Sequence, residues 1–184
     1  MQQLVQFLDD NGTRRVGLMA NTSDVRVLTS TDSVYALFHR GLAERRTLAA
    51  LVEEFVGDEA EPMAPIVDDG RLLPAFDHPV TDARSFVWQA ESGLKPLAPS
   101  LAATAFMPGD STPPNAIAVT VDSHQHLTAV GRAAAEMTDG TLALSGALQL
   151  VDEDDTELKA NVASLETELG GQAELQFGDV IFVL

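Results

Sequence analysis

The chain has 184 residues, of which 28 are acidic and 11 basic, a formal net charge of −17, and no cysteine. This excludes a disulfide framework, a thiolate nucleophile and a cysteine-bound zinc, and it argues against binding a nucleic-acid backbone, which needs clustered Lys and Arg. At 45% hydrophobic residues the chain can bury a sizeable core as one ordinary domain or two small ones.

The basic residues are nine Arg and two Lys, Lys95 and Lys159, a balance that fits adaptation to high salt as well as an ordinary acidic protein. The opening MQQLVQFLDDNG lacks the basic and apolar regions of a leader, and no apolar run reaches the ~18–20 residues of a membrane span. A soluble, cytoplasmic protein with no membrane partner is expected.

In chain order, Leu4–Leu8, Val16–Ala20 and Val25–Leu28 are separated by the turn signals Asp9–Gly12 and Asn21–Asp24 and predict a small antiparallel meander. Thr31, Asp32 and Ser33 supply cap oxygens for a helix from Val34 to Arg40 ended by Gly41. A second helix fits Thr47 to Val56, where Leu48, Leu51, Val52 and Phe55 share one face and Gly57 closes it. Residues 58–79 are acidic and interrupted by Pro62, Pro65, Pro74 and Pro79, so they predict irregular chain apart from an extended Arg71–Leu73. Five prolines between Gly93 and Pro114 predict a long irregular connection.

The remainder reads as mostly β. Ala116–Val121 and Leu127–Val130 form a hairpin around Asp122–Gln125, and Thr141–Leu144 and Ala147–Val151 are further strands. Leu158, Val162, Leu165 and Leu169 predict a helix from Thr156 to Leu169, and Ala173–Phe177 with Val180–Val183 predicts a closing pair of strands. The fold class is α+β, with a boundary near residue 80 that divides the chain into 1–80 and 81–184.

Three groups of residues are candidates for chemistry. In Asp122-Ser123-His124-Gln125-His126, alternate residues of an extended chain would put a carboxylate and two imidazoles on one face; read as a turn, the same residues are ordinary turn formers. His39 and His78 stand isolated in sequence and read as surface or internally satisfied histidines. Glu136 and Asp139, three apart near a strand end, suit a hard cation such as magnesium. There is no glycine-rich phosphate loop, no His-Glu-x-x-His and no nucleophile-elbow serine.

Leu4–Phe7 through Arg15–Leu18, Ser33–Leu37 leading to Thr47–Val52, and above all Gly70–Pro79 (GRLLPAFDHP) resemble the N-terminal domain of the fumarylacetoacetate hydrolase superfamily. The likeness is to the sugar-acid branch related to 2-keto-3-deoxy-arabonate dehydratases. Further on, Ala105-Phe106 with Ile117–Val119, Ala135–Asp139, Ser164–Glu166 and Gly178–Phe182 keep the order of that family's later motifs. The resemblance implies a mixed β-roll in residues 81–184, a homodimer, and Mg2+ or Mn2+ polarising a 2-oxo acid for hydrolysis or dehydration. Glu136 is the metal-ligand position that carries over, with Asp139 beside it. The family's Glu-x-Glu pair aligns with Pro113 and Asn115, no carboxylate lies between Ser111 and Thr120, and the segment that carries the catalytic lid is missing. Two readings follow: a catalytically silent relative serving as a dimer or as the partner of a full-length paralogue, or a reduced metal-dependent enzyme acting on a small 2-oxo sugar acid.

Overall fold

The computed structural model describes residues 2–79, 84–97, 105–106, 113–152, 154–170 and 174–184, with backbone placement alone for 105–106. Strands β1 (Gln3–Leu8), β2 (Arg14–Met19) and β3 (Asp24–Leu28) form the antiparallel meander that the sequence predicts. Its first turn closes because the Asp9 carboxylate accepts from the Asn11 and Thr13 N–H groups. Gly12 there takes φ +77°, a conformation that penalises a Cβ.

Helix α1 (Val34–Glu44) starts at Ser33, whose hydroxyl accepts from the Ala36 N–H, and α2 (Leu48–Phe55) starts at Thr47 in the same way. The expected stop at Gly41 is corrected: α1 continues to Glu44, and Arg45 adopts the left-handed conformation that ends it. Gly41 serves packing instead. A Cβ there would lie 2.8 Å from the Arg46 carbonyl oxygen and 3.2 Å from Leu51 Cδ1, so glycine lets α1 approach the start of α2.

Residues 58–79 are more regular than their prolines predict, forming β4 (Val56–Pro62), α3 (Met63–Asp68) and β5 (Leu72–Leu73). Strand β4 lacks apolar alternation, yet the open edge of β3 recruits it, and exposed Asp58 and Glu59 suit an outermost strand. A second departure is the hairpin of β6 (Ser85–Gln89) and β7 (Gly93–Pro96), where Pro96 is tolerated because β7 is also outermost. Most of the predicted irregular connection, residues 98–104 and 107–112, lies outside the described residues; β8 (Ala105–Phe106) falls between those two stretches.

The rest of the chain supplies β9 (Ala116–Val121), β10 (Leu127–Ala133), β11 (Ala135–Thr138), β12 (Thr141–Ser145), β13 (Ala147–Leu150), α4 (Thr156–Leu169) and β14 (Val180–Val183). The strands line up as β4-β3-β2-β1-β13-β10-β9-β14-β6-β7, with β5 also on β1, while β11-β12-β8 form a small second sheet. The fold is thus mixed α+β with strands predominating. The long sheet runs through both halves of the chain, since β1 pairs with β13, Leu4 opposite Leu148. The expected pairing of 173–177 with β14 does not form: 173 lies outside the described residues, 174–177 is not a strand, and β14 pairs instead with β6 in parallel and β9 antiparallel. Val180, Ile181 and Phe182 are all fully buried, and so unbroken an apolar run needs a strand neighbour on each side and cover on each face.

That cover comes from different helices. Along β9, Ala116 and Ala118 face a core shared with Leu37, Phe38, Leu51 and Val52 of α1 and α2. Val119 and Val121 face the other way, onto Leu158, Val162, Leu165 and Leu169 of α4, the stripe that the sequence predicts. In the meander, Val5, Phe7, Val25 and Val27 are covered by Met63 and Ile66 of α3.

Candidate functional site

The most tightly organised polar region begins at Gln6, in the interior of β1 and fully buried. Its side-chain carbonyl accepts from the Val34 N–H at 2.8 Å, one of the donors that a helix start leaves unpaired. Its amide donates to Pro74 O at 2.7 Å and to Asp77 Oδ1 at 2.8 Å. Asp77 also accepts from both terminal nitrogens of Arg14, at 2.6 and 3.2 Å. One side chain therefore ties the sheet, the start of α1 and the 74–79 segment together, and this brings His78 against α1.

His78 meets Tyr35 there, with ring centroids 4.4 Å apart, and His39, one helical turn on from Tyr35, packs against the same ring at 4.3 Å. The 174–179 segment closes over them. Phe177 meets His39 edge-on at 5.3 Å, and the Tyr35 hydroxyl donates to Gly178 O at 3.2 Å. Gly178 is at φ +85°, and a Cβ there would lie 2.7 Å from the Tyr35 oxygen. Arg84 holds the segment from the other side, donating to Glu174 O at 3.0 Å and pairing with Asp179 at 3.4 Å.

Histidines that look isolated in the sequence are thus assembled with a tyrosine and a carboxylate. Burial lowers the affinity of His39 for a proton, and neighbouring His78 lowers it further. Burial also lowers that of His78, although the Arg84 carbonyl, Asp77 and Asp179 partly offset the effect. Asp179 is pushed up by burial, against the Gln176 N–H and Arg84; Tyr35 is raised by burial and then by Asp179. The imidazoles and the phenol are accordingly neutral at pH 7. Among the described residues, both ring nitrogens of His39 and Nδ1 of His78 are shut off from solvent without a hydrogen-bond partner, and His78 Nε2 lies 3.3 Å from Arg84 O. In its neutral form His78 therefore donates from Nε2 and leaves Nδ1 as an unused acceptor. A general base must reach a substrate proton, and these nitrogens face protein.

Glu136 and Asp139 lie elsewhere. Glu136 is exposed on β11 opposite Ala143, and Asp139 with Gly140 forms the two-residue turn to β12, at φ +50° and +79°. Asp-Gly is the sequence such a turn selects, a local signal for a hairpin. Among the described residues no group of three or more His, Asp or Glu is placed to hold a metal ion. Dedicated Mg2+ or Mn2+ sites use several oxygen ligands, so the described donor set does not fit one. Asn115, where the resemblance would place one carboxylate of the Glu-x-Glu pair, sits beside Glu136's strand. Its side chain accepts from the Ala135 N–H at 2.6 Å and donates to Ala135 O at 2.9 Å, so its polar atoms are engaged in pairing the backbone.

Asp122–His126 forms a turn. Asp122 Oδ1 accepts from the His124 and His126 N–H groups, Gln125 is at φ +62°, and the His126 ring meets Glu166 at 3.1 Å. Sequence reading gave no hint of a further feature, an open groove between α1–α2 and α4. Thr128, Ala129, Val151 and Lys159 are common to its two adjoining concavities of about 430 and 460 Å3. Its walls bring together residues 110 to 120 positions apart in sequence, Leu42 and Leu48 on one side and Leu158 and Val162 on the other. Arg46 at one end is engaged by Glu44 and Glu54. No helix among the described residues is long and apolar enough to cross a membrane. Comparison with protein families, with curated proteins and with solved structures finds no match to this chain.

Proposed function

We propose that this chain is a divergent relative of the fumarylacetoacetate hydrolase superfamily that has given up catalysis and acts by binding, as a homodimer or as the partner of a full-length paralogue in a reducing cytoplasm. One observation carries the reading. The aligned ligand segments lie side by side, as a shared metal site would require, but where the family has a carboxylate Asn115 offers an amide, and it is occupied in pairing the Ala135 backbone. Two further facts support it. Tyr35, His78 and Gly178-Asp179, which come from separate blocks of the resemblance, pack against one another. Their imidazole nitrogens are closed off, which suits a structural joint better than an acid–base centre.

Calorimetric titration with MnCl2 tests the proposal on the wild type, on Glu136→Ala and on the double variant Pro113→Glu/Asn115→Glu. No saturable binding by the wild type at millimolar metal is expected, with binding gained when the carboxylate pair is restored. Saturable wild-type binding that Glu136→Ala removes would overturn the reading in favour of a Mg2+- or Mn2+-dependent hydrolase or dehydratase of a 2-oxo acid. Sedimentation equilibrium tests the dimer. At a net charge of −17, self-association strengthens between 0.1 and 1 M KCl as the screening length falls from ~10 to ~3 Å; a monomer at both salts leaves only the paralogue as partner.

A further inference from the structure

We propose that residues 174–179 are an acid-released latch, held closed on α1 by neutral His39 and His78 and opened when the two imidazoles take protons. The segment is held on α1 through this cluster, by Phe177 on His39 and Gly178 O on the Tyr35 hydroxyl; Arg84 holds Glu174 O and Asp179 from the other side, Leu175 packs against the core under α4, and the Gly178 N–H and Asp179 O pair with Val121 of β9, bonds that opening must also break. Phe177 is 62% exposed, so it can swing into water at little expense in buried surface.

A proton on His39 has no place to be solvated while the latch is shut. Its ring faces Tyr35 and Phe38 from its own helix, Phe177 from the latch and His78 from the 74–79 segment, none of them an anion. Arg40, next along α1, is paired with Glu44. His78 faces Tyr35, Asp77 and Asp179, but Asp77 is already engaged by Arg14 and Gln6, and Asp179 by Arg84 and the Gln176 N–H. Two imidazolium rings packed on one tyrosine would also repel each other. Opening hydrates both.

The sign follows from linkage. The open form takes protons near the ordinary histidine value of about 6.5, and the closed form resists them, so opening gains as pH falls below that value. With two protons taken up, the opening constant rises by up to about 100-fold per pH unit. Asp179 acts in the opposite direction: burial makes its closed-form carboxyl the easier to protonate, which favours closure as pH approaches the carboxylate range. Asp179 thus offsets part of the gain at the acid end, and release uncovers the faces of Tyr35 and His39.

Amide hydrogen exchange on the full chain reads the latch at Gly178, Asp179 and Val180, whose N–H groups are bonded to the carbonyls of Val121, Gln176 and Arg84. After correction for intrinsic rates, protection at these amides is expected to fall by up to about 30-fold between pH 6.5 and 5.5, since each histidine contributes at most about 5.5-fold over that interval, while that of the β1–β2 amides holds. In His39→Phe, which keeps a ring but cannot charge, the fall over the same interval is limited to about 5.5-fold. Protection independent of pH overturns the proposal, and so does a parallel loss in β1–β2, which would mean global acid unfolding. If His39→Phe does not fold, the wild-type ring titration decides: His39 titrating near 6.5 while the latch amides stay protected overturns it, and titration in step with their release supports it.

Discussion

Replacing Gln6 with alanine removes three hydrogen bonds that no neighbour can remake. Gln6 is fully buried, and its partners are the Val34 N–H, the Pro74 carbonyl and the Asp77 carboxylate. Asp77 keeps Arg14, so its loss is partial. The other two are left as buried polar groups without a partner, at roughly 1–3 kcal/mol each, and the expected total is about 3–5 kcal/mol. At roughly 2–4 °C per kcal/mol for a chain of this size, Tm falls by about 6–20 °C. Urea unfolding followed by far-ultraviolet circular dichroism and by emission of Trp88, the one tryptophan, measures the change. Gln6→Glu separates the contributions: it keeps an acceptor for Val34 but loses both donated bonds and sets a second carboxylate against Asp77. It should therefore be at least as unstable at pH 7. A loss below about 1 kcal/mol in Gln6→Ala, or wild-type stability in Gln6→Glu, would refute the view that this residue clamps α1 to the 74–79 segment.

Other substitutions probe the rest of the fold. Gly131→Ala places a Cβ 2.6 Å from the Gln149 carbonyl oxygen and 2.7 Å from Leu148 Cγ, at the bulge in β10. A backbone oxygen cannot swing aside, so a loss of about 1–3 kcal/mol is expected, and an unchanged urea midpoint would contradict it. Asp155→Ala removes the cap of α4, which accepts from the Leu158 N–H at 2.9 Å, together with a 3.0 Å pair to Arg132; about 1–2 kcal/mol is expected in thermal unfolding. Leu165→Ala opens the core under α4, where Leu165 is 4% exposed, and should lower stability by about 2–5 kcal/mol in the same assay. His126 responds to pH with the sign opposite to His39 and His78. Its hydrogen bond to Glu166 raises its pKa, so this stabilisation is complete below about 6.5 and is lost as pH rises through the folded value. Nuclear magnetic resonance titration should show His126 returning to the ordinary range in Glu166→Gln, and an unmoved midpoint would refute the coupling.

Local patterns were legible wherever a residue's partner lies close in sequence. The meander, the cap oxygens before α1, the starts of α2 and α4, the hairpin around Asp122 and the buried stripe of α4 all follow from period and turn chemistry. The Asp139-Gly140 turn was also written in the sequence, as a hairpin signal competing with a metal reading of the same carboxylate. The pairing of β1 with β13 was not legible, because strands more than 100 residues apart carry no mutual label in one sequence. Nor was β4, whose side chains lack alternation and whose strand conformation is imposed by the free edge of β3.

By itself, then, the sequence determined a cysteine-free, strongly acidic α+β chain and the start and buried face of its long C-terminal helix. Only the tertiary structure decided that His39 and His78 share a tyrosine, that Gln6 joins three elements, and that Asn115 pairs with the backbone beside Glu136. The physical reason is range. Periodicity and capping act over a few residues, whereas burial, proton affinity and the pairing of polar groups depend on which distant segments the sheet brings into contact.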